Sequence, residues 1–169
     1  MTTKKVSLES PVEEKIAWAR SVYERFKRQL HEDQQIAYLL GQLESAVSES
    51  RKEMARARII DVCKLCEQAE GGSCCGAGLE RKYDGWLILI NLLLGARLPE
   101  TRYDEESCFF LGPDGCTLKS RHVLCVNYLC KKIIDRVDSQ KIKTLKEKEG
   151  KELDTLFRLH EQIKSALDI

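Results

Sequence analysis

The chain has 169 residues, 43% hydrophobic and 33% charged, with 28 Lys and Arg against 27 Asp and Glu and a formal net charge of +1. That length suits one domain around a single core, and the mixture excludes a disordered chain. The charge is balanced and no segment forms a basic arm, so nothing in it gathers nucleic acid or an anionic membrane surface.

The first ten residues carry Lys4 and Lys5 with no apolar run behind them. A secretory leader requires such a run, so a cytoplasmic location is expected. The longest apolar stretch, Trp86 to Leu94 interrupted by Asn91, is far shorter than the roughly 20 residues of a membrane span.

Ser10-Pro11-Val12-Glu13 predicts a helix start, with Ser10 as cap, Pro11 in the first turn and Glu13 completing a capping box. Val12, Ile16, Ala19, Tyr23, Phe26 and Leu30 then form one apolar stripe at helical spacing. After the polar interval His31-Glu32-Asp33, a second stripe runs through Ile36, Leu40, Leu43, Val47, Met54 and Ala57, broken by Ser50, and leads into the first cysteine. Residues 1–62 therefore read as two long helical arms that pack most simply as an antiparallel hairpin. Core packing accounts for the stripes; a surface for a protein partner is the alternative.

Residues 63–130 hold every cysteine, together with glycine turns at Gly71, Gly72, Gly76 and Gly78 and at Gly112-Pro113-Asp114-Gly115. Within this module Tyr83 to Leu94 predicts a buried helix ended by Gly95. Residues 131–169 read as a C-terminal helix from Asp138 onward, bearing Ile142, Leu145, Leu153, Leu156, Leu159, Ile163 and Leu167 and weakened at Gly150. The expected fold is mostly α: a long-helix hairpin and a C-terminal helix around a loop-rich cysteine module with one buried apolar helix, all in a single domain.

The eight cysteines fall as Cys63-x2-Cys66-x7-Cys74-Cys75 and Cys108-x7-Cys116-x8-Cys125-x4-Cys130. Disulfides, metal ligation and unrelated buried thiols compete to explain them. A chain held among cellular reductants turns an even cysteine count toward metal ligands. Cys63 and Cys66 can converge from one turn of backbone, whereas the adjacent side chains of Cys74 and Cys75 point apart and suit different metals, or different irons of one cluster. Eight thiols suit two four-sulfur zinc sites, or an iron-sulfur cluster held by four with the rest in a second role. Tetrahedral sulfur ligation does not separate zinc from iron. Lys64, Arg81, Lys119 and Arg121 are candidates to screen thiolate charge. His122 reads as a surface or supporting residue, and His31 and His160 receive no role.

These residues resemble the YkgJ-type cysteine cluster family, described as zinc- or iron-chelating domains. The resemblance rests on Cys63-x2-Cys66, the Cys74-Cys75 doublet, Cys108-Phe109-Phe110-Leu111 with Asp114-Gly115-Cys116, and Arg121-x3-Cys125 followed by Cys130. It covers about residues 63–130. His122 departs from it, since the family usually has proline after that arginine. The resemblance implies metal binding, and relatives of the family look like flagellin lysine methylases, which are larger. No glycine-rich strand-to-helix loop of the dinucleotide type is present for a methyl donor such as S-adenosylmethionine, and no Ser-His-Asp set, paired-carboxylate motif or phosphate loop is readable. The sequence thus favours a metal-assembled binding module over an iron-sulfur redox protein or protein-modifying enzyme.

Overall fold

The computed structural model describes the backbone of residues 6–70 and 74–168, and the side chains of these other than 66–70. Lys4, Lys5, the Gly71-Gly72 turn and the sulfur of Cys66 lie outside the described residues. The protein is mostly helical. In chain order its elements are α1 (Val12–Glu32), α2 (Gln34–Arg56), α3 (Ile59–Glu70), a 3-10 turn (Leu79–Lys82), α4 (Gly85–Leu93), β1 (Leu111–Gly112), β2 (Gly115–Cys116), α5 (Val123–Asn127), α6 (Lys131–Arg136) and α7 (Ser139–Leu167). Among the described residues no helix is long and apolar enough to cross a membrane.

Helix α1 starts differently from the capping expectation. Pro11 holds the cap position, and no side chain caps the helix. The Ser10 hydroxyl is engaged elsewhere, accepting from the Ser7 N–H at 3.2 Å in a local turn, the competing use to which short polar side chains are prone. Asp33 alone separates α1 from α2 and caps the latter by accepting from the Ile36 N–H at 2.9 Å.

The second stripe is not one helix running into the first cysteine. It breaks after Arg56, where Arg58 takes a left-handed φ of 61°. Such a conformation costs a non-glycine residue about 1–2 kcal/mol. Burial of Ala57 and Ile59 on either side offsets that cost.

Helix α4 forms the centre of the core, with Ile88, Leu89, Ile90 and Asn91 wholly inaccessible. Asp84 caps it by accepting from the Leu87 N–H at 2.7 Å. Gly95, at φ 78°, closes it by donating to the Leu92 carbonyl at 2.9 Å, a turn that favours glycine.

Helices α1 and α2 do touch, but each buries most of its stripe against another helix, α1 against α4 and α2 along α7. At the first contact Trp18 and Trp86 meet edge to face, 4.9 Å between ring centres. A Cβ at Gly85 would lie 2.5 Å from the Trp18 ring, so the absence of a side chain there sets how closely α1 approaches. At the second, Ser50 donates to Glu152, and this pairing explains the polar interruption in the α2 stripe.

Helix α7 runs unbroken through Gly150 for 29 residues. Its buried face is Leu145, Glu149, Glu152, Leu159, Ile163 and Leu167, so two carboxyl groups occupy positions of an otherwise apolar stripe. Two apolar clusters result. The larger joins α1, α2, α4 and α7 with Tyr83, Cys108, Phe109, Phe110 and Leu118. The smaller gathers Ala57, Ile59, Ile133, Val137 and Leu145, with Met54, Leu129 and Cys130 packed against it.

Candidate metal centre

Between those two clusters lies a cavity of about 610 Å3 lined by Cys63, Cys74, Cys75, Cys108, Cys116 and Cys125. Their sulfurs reach it from four separate stretches of chain. The loops that bring them there are tied down by hydrogen bonds whose donors and acceptors can be followed one by one.

Cys75 and Cys108 are brought together by backbone: the Cys108 N–H donates to the Cys75 carbonyl at 2.6 Å, and Gly76 bridges Ser107 in antiparallel fashion. Glu80, 4% exposed, secures both loops. Its carboxylate accepts from the Gly78 N–H at 2.9 Å, the Phe109 N–H at 3.4 Å and the Arg102 guanidinium at 2.6 Å. Burial works against the Glu80 charge, but Arg102 and the two N–H groups outweigh it and hold the carboxyl below its usual range. Arg102 also donates to the Ser107 carbonyl, closing the clamp one residue before Cys108.

Cys116 is delivered by the β1–β2 hairpin, in which Leu111 pairs with Cys116 and Gly112 with Gly115. The segment that follows is anchored from two sides. Asn91 of α4 donates to the Ser120 carbonyl at 2.8 Å and accepts from the Ser120 N–H at 3.0 Å. Arg51 of α2 donates to the carbonyls of Leu118 and Lys119, each at 2.9 Å.

Cys125 sits on α5, which His122 caps by accepting the Leu124 N–H at Nδ1, 3.2 Å away. The Tyr83 hydroxyl accepts from the His122 N–H at 3.0 Å and donates to the Cys125 sulfur at 3.5 Å. A buried hydroxyl directed at sulfur is the kind of supporting contact that orients a thiolate ligand. His122 is therefore a supporting residue that positions α5, as its sequence context suggested.

Cys75, Cys108, Cys116 and Cys125 form an electrically connected group. Burial pushes the Cys108 thiol up to about 12, with the charges of Glu80, Cys116 and Cys75 adding to the effect. Cys116 is exposed as a residue, yet loss of water around its sulfur raises this thiol too; the Leu118 N–H and Arg121 oppose the rise, while Cys75 and Cys125 reinforce it. Of the four cations singled out from the sequence, Arg121 lines the cavity. Lys119 pairs with Glu44 at 3.6 Å, and Arg81 contributes its carbonyl to Lys15. Lys64 is exposed.

The cysteines are not equivalent. Cys63, Cys74 and Cys116 are exposed, Cys75 and Cys125 half-buried, and Cys108 buried. Cys130 stands apart, at the cap position of α6, where it packs against the smaller apolar cluster and does not line the cavity. Among the described residues, no three Cys, His, Asp or Glu side chains already stand close enough to hold one ion. The cavity nevertheless presents six thiols against one carboxylate, Glu149, a set that suits zinc or iron-sulfur chemistry better than the oxygen-loving calcium or magnesium.

Several contributors escaped the sequence reading. Glu80 looks like an ordinary turn residue, and nothing in its local sequence marks it. Glu149, which also lines the cavity, and Glu152 carried a usable signal, since both fall on the α7 stripe in phase with Leu145 and Leu159. His160, left without a role, bonds the α4 cap residue Asp84 at 3.0 Å and so fastens α7 to α4.

Compared with family models, curated proteins and solved structures, the chain matches none.

Proposed function

We propose that this protein is a metal-binding cysteine module in which zinc or an iron-sulfur cluster is held by thiols of the cavity, and that the metal mainly assembles the loops between the helices. The observation that carries this reading is the convergence of six cysteines from four separate segments on one cavity. Cys75, Cys108 and Cys125 are the inner ligands on this reading, with Cys63, Cys74 and Cys116 at the exposed edge; the resemblance to YkgJ-type domains takes in these six together with Cys66 and Cys130. Binding displaces the thiol protons, so metal affinity becomes folding free energy for the loops.

A second reading is an iron-sulfur protein that transfers an electron or supports modification of a protein side chain. The size of the cavity favours it, because about 610 Å3 leaves room for more than one ion. Protein purified without oxygen separates the two. A brown sample containing iron and acid-labile sulfide supports the second reading, and a colourless sample containing zinc the first. A sample free of both metals removes the proposal.

A further inference from the structure

We propose that the cavity also binds a small organic carboxylate with an apolar body, the carboxylate being held by Arg121. This goes beyond the metal reading and rests on the cavity and on Arg121, whichever metal the thiols hold.

Size is the first reason. A volume of about 610 Å3 falls within the roughly 300–1,000 Å3 of small-molecule sites. Composition of the walls is the second. Cys75, Cys108, Cys125, Leu79 and Tyr83 belong to or pack on the larger apolar cluster, whereas Met54, Ile59, Leu129 and Ile133 belong to the smaller one. Cys75, Cys108 and Cys125 thus border one side, and the other offers an apolar surface on which the body of a ligand loses contact with water.

Arg121 is the third reason. Its guanidinium carries five N–H donors, yet among the described residues its hydrogen bond goes to the Met54 thioether, a weak acceptor, at 3.7 Å. The other arginines of the module are better served: Arg51 donates to two carbonyls, and Arg102 to Glu80 and the Ser107 carbonyl. A thiolate at Cys116 draws on Arg121's charge but leaves N–H donors over. Glu149, on the same cavity wall and 2% exposed, is ion-paired with Lys146 at 2.9 Å and is acted on by the Arg121 charge, but among the described residues no hydrogen bond joins it to the guanidinium. A planar guanidinium is matched by a carboxylate, which accepts two parallel N–H groups. A carboxylate brings one negative charge to this guanidinium; a phosphate dianion would bring two and leave one buried without compensation.

The test measures binding of octanoate, octanol and octylamine to the full-length protein by calorimetry, with metal content recorded for every sample. The three probes share an apolar body and differ at one end. Octanoate is expected to bind at least tenfold more tightly than octanol, and octylamine more weakly than either. Arg121→Gln is expected to bring octanoate down to the level of octanol, with the metal content of the variant recorded beside it. If that variant does not fold, the comparison of probes on the unaltered protein decides. Equal affinity for octanoate and octanol, or a preference for octanoate that survives Arg121→Gln, overturns the proposal. Metal-loaded protein indifferent to octanoate overturns this inference alone; metal-free protein that prefers octanoate supports it and removes the metal reading instead.

Discussion

Replacing Cys108 or Cys125 with serine is expected to lower metal affinity at least tenfold and strip most of the bound metal, whereas Cys130→Ser is expected to leave metal content unchanged. The contrast follows from position. Cys108 and Cys125 line the cavity and belong to the group whose charges act on one another; Cys130 packs against a separate apolar cluster. Serine nearly preserves side-chain volume but replaces a soft thiolate with a hard, neutral hydroxyl, which is a poor ligand for zinc or iron. On the proposed metal reading, affinity is folding free energy for the loops, so the Cys108 and Cys125 variants are also expected to lose several kcal/mol of apparent stability. The helical signal should survive in large part, since the α1–α4 and α2–α7 contacts do not involve sulfur from the cavity. Elemental analysis and circular dichroism on the three variants check this. Equal metal content across all three would contradict the assignment.

Asn91→Leu is expected to destabilise the protein by about 2–4 kcal/mol, close to the cost of stranding two buried backbone groups. Asn91 is fully inaccessible, and its amide donates to the Leu87 and Ser120 carbonyls while accepting from the Ser120 N–H. Leucine has the right size for the apolar surroundings, but it leaves the Ser120 N–H and carbonyl without their partner. Asn91→Asp is expected to fare no better, because a buried carboxylate would face the two carbonyls that the amide now serves. The strand of chain so anchored lies between Cys116 and Arg121, so both variants should also weaken metal retention. Urea unfolding measures the first effect and chelator competition the second. A loss below about 0.5 kcal/mol, the range of ordinary surface substitutions, would mean that Asn91 does not fix this loop.

Much of the helical architecture was legible because helical periodicity is a local property. The α4 core, its Gly95 terminator and the Asp138 start of α7 all follow from residues within one or two turns. Which helix pairs with which was not legible, since a stripe states that a partner is needed without naming it. Nor was the break at Arg58, where burial of Ala57 and Ile59 overrides the preference of a non-glycine residue.

At the candidate site the sequence marked the thiols and Arg121 but not their supports. Glu80, Asn91, Tyr83 and Arg51 act chiefly through contacts 22 to 68 residues away in sequence, and no short-range pattern encodes such contacts. The eight cysteines looked like one set because they are clustered in the chain. Cys130, at the start of the short helix α6, packs against the smaller apolar cluster and is not among the residues that line the cavity.

X-ray absorption at the edge of the metal carried by anaerobically purified protein tests the central proposal most directly. The account predicts a first shell composed of sulfur alone, with zinc–sulfur or iron–sulfur distances near 2.3 Å. A shell dominated by oxygen or nitrogen, or protein that carries no transition metal at all, would contradict it.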